Sequence, residues 1–142
     1  MKNSDDEKAL QLIILLNMES LGATIGIIGY FFIIKAAQIG IYEEIAKIKD
    51  YDIDIKEINL IQEKLSALGE FFLLIGNSIL YLVAASELDL EMAYNNSRDT
   101  YKSLEPQLNI AFGYFSNVIS DLIKVIGAQQ RVNEGGEEIT IL

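Results

Sequence analysis

The chain has no cysteine, no histidine and no tryptophan, and its single proline is Pro106. Without cysteine there is no disulfide, no thiolate nucleophile and no thiolate-bound zinc. The missing histidine removes the commonest general base and the commonest transition-metal ligand. Positive charge is also scarce: 11 Lys and Arg stand against 21 Asp and Glu, a net charge of −10. The basic residues are scattered, so no patch offers the counterion release that nucleic-acid binding needs. The same scarcity argues against electrostatic adsorption to anionic lipid. Asp5, Asp6 and Glu7 occupy the place of a basic n-region, and no small-residue cleavage site follows Leu10–Leu16. No signal peptide is therefore expected, and the compartment stays open.

Apolar surface, by contrast, is abundant. Hydrophobic residues make up 51% of the chain and charged residues 23%. That charged share is close to the roughly 25% of ordinary soluble domains. The mean hydropathy of +0.26 pulls towards a membrane. At 142 residues a single domain is expected. It is read as a helical domain over residues 1–132 followed by a short tail, 133–142.

Strand-like alternation is weak, and apolar residues recur at spacings of three and four. The pattern predicts an all-α fold, a bundle of three long helices over about 4–49, 55–95 and 106–132. Ser4 and Glu7 fit a capping box. The first helix would be roughly 65 Å long, so a break is expected near Gly22–Gly29 or Gly40. In the second, Ile58, Ile61, Leu65, Leu68 and Phe72 form an apolar face opposite Asn59, Glu63, Ser66 and Glu70. Asn95–Ser97 suits its end, and Pro106 suits the first turn of the third helix. There, Asn109, Gly113, Ser116, Asn117, Ser120, Asp121 and Lys124 form a small and polar stripe on an otherwise apolar helix. The tail offers a turn at Gly135–Gly136 and a β-prone end. A faint repeat also runs through the first two helices. Leu21-Gly22, Ile28-Gly29 and Ala37 recur as Leu68-Gly69, Ile75-Gly76 and Ala84.

The segment Leu21–Tyr42 holds one charge, Lys35. Its small residues, Gly22, Gly26, Gly29, Ala36 and Gly40, lie on roughly one side of a helix, and Gly22-x-x-x-Gly26 matches a close-packing motif. Gly69 and Gly76 are their counterparts in the second helix. A helix-interior glycine costs about 1 kcal/mol relative to alanine. Several together therefore predict close backbone packing. No G-x-x-x-x-G-K-[ST] loop is present. The E-x-x-H ligands of di-iron bundles are impossible without histidine, and no EF-hand loop is found. No catalytic residue, cofactor, metal or small-molecule substrate is expected.

Lys35, Glu70 and Asn77 are the polar residues nearest the apolar centres. Interhelical contact, including a Lys35–Glu70 bridge, is one reading. The other, favoured, sets each at the solvent edge of its helix. Windows in the first and second helices reach a mean hydropathy of roughly 1.6, on the threshold for a span. The third is read as amphipathic and too polar. A helix apolar on all sides must be buried on all sides, and three helices cannot surround one of their own. The leading expectation is thus a non-enzymatic, self-associating protein, a subunit of a homo-oligomer or filament whose partner is itself. The alternative is a small integral membrane protein with spans at about 21–42 and 68–86. An enzyme working through carboxylates alone, such as Glu70 or Asp121, is the third and weakest.

Overall fold

The computed structural model describes residues 2–96 and 103–135. Three helices account for nearly all of them: α1 (Lys2–Ile48), α2 (Ile55–Asn96) and α3 (Glu105–Glu134). There is no strand among the described residues. The all-α expectation holds, and each helix begins and ends within a few residues of its expected range. The capping contact expected of Ser4 and the β-prone end after Gly135 lie outside the described residues.

The expected break in α1 does not occur. The helix runs without interruption past Gly22, Gly26, Gly29 and Gly40. Its weak points are held from outside, because Gly22 packs on Gly76 and Gly29 on Gly69 of α2.

The ends of the helices are set by local chemistry. Asp50 adopts a left-handed conformation, φ 55°. The Tyr51 N–H then donates to the Ala46 carbonyl at 3.0 Å and the Asp50 N–H to that of Lys47 at 3.4 Å. That is the Schellman pattern, with aspartate in the place usually held by glycine. Four residues later Asp54 caps α2: its Oδ1 accepts from the N–H groups of Lys56 (3.0 Å) and Glu57 (3.2 Å). Pro106 sits in the first turn of α3, where no backbone donor is needed.

Burial follows a seven-residue repeat. On α1 Leu15, Gly22, Gly29, Ala36 and Glu43 are buried seven apart, with Ala46 buried in a second series; on α2 Gly69, Gly76 and Val83 lie seven apart. On α3, Ala111, Val125 and Val132 share one series, and Asp121 and Ala128 a second. Such a repeat is the signature of near-parallel, left-handed helix packing. α1 packs on α2 and α2 packs on α3, while the backbones of α1 and α3 do not meet. α2 is the shared helix. Its polar side, with Glu63, Ser66 and Glu70, turns out to be the face that receives α3.

Candidate functional site

Two seams and one outward surface hold everything distinctive in this molecule. The α1–α2 seam is built from glycine. A Cβ on Gly22 would stand 3.0 Å from the Gly76 carbonyl oxygen, and one on Gly29 would stand 2.8 Å from that of Gly69. Gly40 is covered by the Gln62 side chain, at 2.8 Å. Ala36 is buried in the same series. Gly26 differs: a Cβ there would meet nothing within 4 Å. The close-packed row therefore steps by seven, through Gly22, Gly29 and Ala36, while Gly26 contributes only its backbone, whose N a Cβ on Gly76 would meet at 2.9 Å. Phe32 stacks on Phe72 beside it, ring centroids 5.6 Å apart.

The α2–α3 seam carries a polar network. The Asn77 amide donates to Asp121 Oδ2 at 2.6 Å, and the Lys124 ammonium donates to Asp121 Oδ1 at 2.7 Å. Lys124 also lies 3.7 Å from Glu70. Asp121 is 3% exposed, so its charge is met by two donors inside the bundle. One end of the seam is closed by Arg131, paired with Glu63 at 3.3 Å and reaching Ser66 at 3.5 Å. Of the three polar residues singled out in the sequence, Glu70 and Asn77 meet here. Lys35 does not: it is exposed and donates to Gln38 of its own helix at 3.1 Å. The partners of Glu70 and Asn77, Lys124 and Asp121, were visible only as members of the α3 stripe. Pairing them needed the register of α3 on α2, which no local pattern states.

Further polar groups flank the apolar length. Lys47 holds Glu43 and Glu44 at 2.6 and 2.7 Å. Both hydrogen bonds push the lysine above its ordinary value. At the opposite end the Glu87 carboxyl is pushed up, first by burial and then by the charges of Glu19 and Glu91. No cluster able to hold a metal ion occurs among the described residues.

The outward surface inverts the usual order. The seams bury small or polar residues such as Ala67, Ala128, Asn95 and Asp121. The bulkiest apolar residues point out: Phe31 is 63% exposed, Phe112 68% and Ile123 65%. In water-soluble domains Ile, Leu and Phe are the residues most often buried. All three helices are long and apolar enough to cross a membrane, with best windows at mean hydropathy 1.8, 1.8 and 1.3. This corrects the expectation that the third falls short. Its polar stripe lowers the average, yet the stretch from Pro106 to Ser120 is free of charge.

Comparison with family models, curated proteins and solved structures finds no match. The class that the fold itself defines is an all-α bundle of three long helices.

Proposed function

We propose that this is a non-enzymatic, self-associating protein embedded in a membrane, crossing it with all three helices. The observation that supports this reading is the inverted burial. Small residues at helix contacts with bulky apolar residues outside is how helices pack where the solvent is lipid. In water the same surface would be a very large exposed apolar patch.

The charges of α2 and α3 fall where this reading needs them, whereas Lys35 lies exposed within the α1 span. Along α2, Lys64 and Glu87 bracket a length of roughly 35 Å at 1.5 Å per residue, against a hydrocarbon core of about 30 Å. Between them Glu70 points into the α3 seam and is matched by Lys124. Ionisable residues inside spans are expected to face the bundle and pair in this way. Corresponding spans cover about 20–42 of α1 and 106–130 of α3. Lys47, Lys49, Lys56 and Lys64 cluster around the α1–α2 turn. The positive-inside rule places that turn in the cytoplasm.

Fractionation of the untagged protein tests the proposal. It is expected in the membrane pellet, resistant to carbonate and released by detergent. Recovery in the soluble fraction without detergent would overturn it. One observation favours a second reading. Exposed apolar residues on α1 extend from Leu10 to Ile48, a length of roughly 58 Å and about twice a bilayer core. A water-soluble assembly would bury that whole length against other copies, and would elute as a large particle without detergent.

A further inference from the structure

The two faces of α2 stand at a definite angle. Gln62, Gly69, Gly76 and Leu80 meet α1. Glu63, Glu70, Asn77 and Tyr81 meet α3. Each residue of the second set directly follows one of the first. One residue turns an α-helix by about 100°. The two neighbours of α2 are therefore about a right angle apart. With interaxial distances of 8–10 Å, α1 and α3 are the diagonal of a square, separated by roughly 13 Å. That accounts for their lack of backbone contact. The chain thus fills three corners of a four-helix bundle and leaves the fourth open. A cleft of about 300 Å³ marks the vacant side at one end, lined from α1, α2 and α3 by Leu12, Glu91 and Gln107 among others.

Small residues border the vacancy beside Tyr30 and Lys124. Tyr30 of α1 lies within electrostatic range of Lys124 of α3, which fixes the inner side of each helix. Gly26 lies four positions before Tyr30, on the same side of α1. Gly113 and Asn117 lie on the Lys124 side of α3. A Cβ on Gly26 or on Gly113 would meet nothing within 4 Å. Two helix-interior glycines whose Cβ positions face open space border one empty corner, the backbone of Gly26 itself packing against Gly76.

We infer that the protein is a twofold homodimer in which α1 of each copy fills the vacant corner of the other. This rests on the self-associating part of the proposed function and holds in lipid or water. The choice of α1 follows from its surface. From Ser20 to Ile34 it carries no charge, and α1 exposes more large apolar residues than α2 or α3, so it is the helix left with most apolar surface to cover. A twofold axis parallel to the helices lays the six helices out as two rows of three. Each α1 then touches its own α2, its mate's α1 and its mate's α3. The two α1 helices run parallel and meet along Ala23, Gly26 and Tyr30. The far side of α1 meets the partner's stripe with matching polarity. The Gly22–Gly76 contact and the Asn77–Asp121 bond set Ser20 and Thr24 within about a turn of Asn117 and Ser120. The area is sufficient. The accessible surface is 9766 Å², against roughly 7,400 Å² for a compact monomer of this mass. The excess of roughly 2,400 Å² per chain is at the scale of an obligate dimer's interface.

Because the chain lacks cysteine, single-cysteine variants report on the dimer directly. Under mild oxidation Gly26→Cys is expected to form a disulfide-linked dimer, and Phe112→Cys, on the outward side of α3, is not. Mass measurement of the purified full chain is expected to give two copies, and one copy for Gly26→Leu with unchanged helical circular dichroism. A Cβ at position 26 meets no atom of its own chain within 4 Å, and the circular dichroism separates lost association from lost folding. A parent that measures as one copy would sink the inference, leaving the corner to lipid or another protein. So would a Gly26→Leu dimer, or cross-linking at position 112 that equals that at 26. A dimer recovered without detergent would refute the membrane reading and leave the inference standing. A carbonate-resistant monomer would do the reverse.

Discussion

Single residues set the ends of the helices and the acid response of one of them. Asp54 holds two otherwise unpaired backbone donors of α2. Asp54→Ala is expected to cost about 1 kcal/mol, read from the denaturant midpoint in a fixed detergent. Glu87 contributes a pH dependence. Its carboxyl is held above its ordinary value by burial and by Glu19 and Glu91. For an acid raised in the folded state, the stabilising contribution is present below the ordinary pKa. It is lost as pH rises through the folded value. Above its ordinary value, ionisation of Glu87 is therefore something the fold disfavours. Glu87→Gln is expected to melt above the parent near neutral pH, with the gap closing below about pH 4. A constant gap across that range would count against this account.

At the scale of a helix, glycines of one apolar stretch divide into two kinds. Gly29→Ala gains about 1 kcal/mol of helix propensity but drives a methyl to 2.8 Å from the Gly69 carbonyl. Overpacking of that sort costs about 1–3 kcal/mol, so the net effect is a loss. Gly26→Ala meets no atom of its own chain and keeps the gain. Thermal melts of the two variants should move in opposite directions. The sequence made the helices legible, because apolar spacing, Asp54, Asn95–Ser97 and Pro106 are all local signals. It also pointed to glycine packing and to Glu70 and Asn77. It did not show that the Cβ side of Gly26 turns away from α2, because a seven-residue seam and a four-residue motif share Gly22. Nor did it show Lys124 and Asp121 as partners, since that pairing spans two helices. The unbroken course of α1 was hidden for the same reason: the support for its glycines comes from α2.

For the whole molecule, under the membrane reading the arrangement of charge implies an orientation that can be measured. Seven of the 11 basic residues, Lys35, Lys47, Lys49, Lys56, Lys64, Lys124 and Arg131, lie in the half nearer the α1–α2 turn. Under the membrane reading, Asp52→Cys in that turn is expected to react with an impermeant maleimide from the cytoplasmic side only. Labelling from the opposite side would invert the orientation. The α2–α3 connection must then lie across the membrane from it, because consecutive helices run antiparallel.

The glycine seam leaves one thing undetermined by itself. Its notches recur every seven residues on both helices, like two rulers with the same graduation. Sliding α1 by one repeat, about 10 Å, would set Gly29 against Gly76 and present backbone to backbone again. Alignment must come from features that do not repeat: the Phe32–Phe72 stack, Lys8 over the Tyr94 ring, and the tight turn at Asp50. The turn is too short to pay out another repeat of chain. A small left-handed aspartate at one end thereby selects the alignment of a seam several tens of ångströms long.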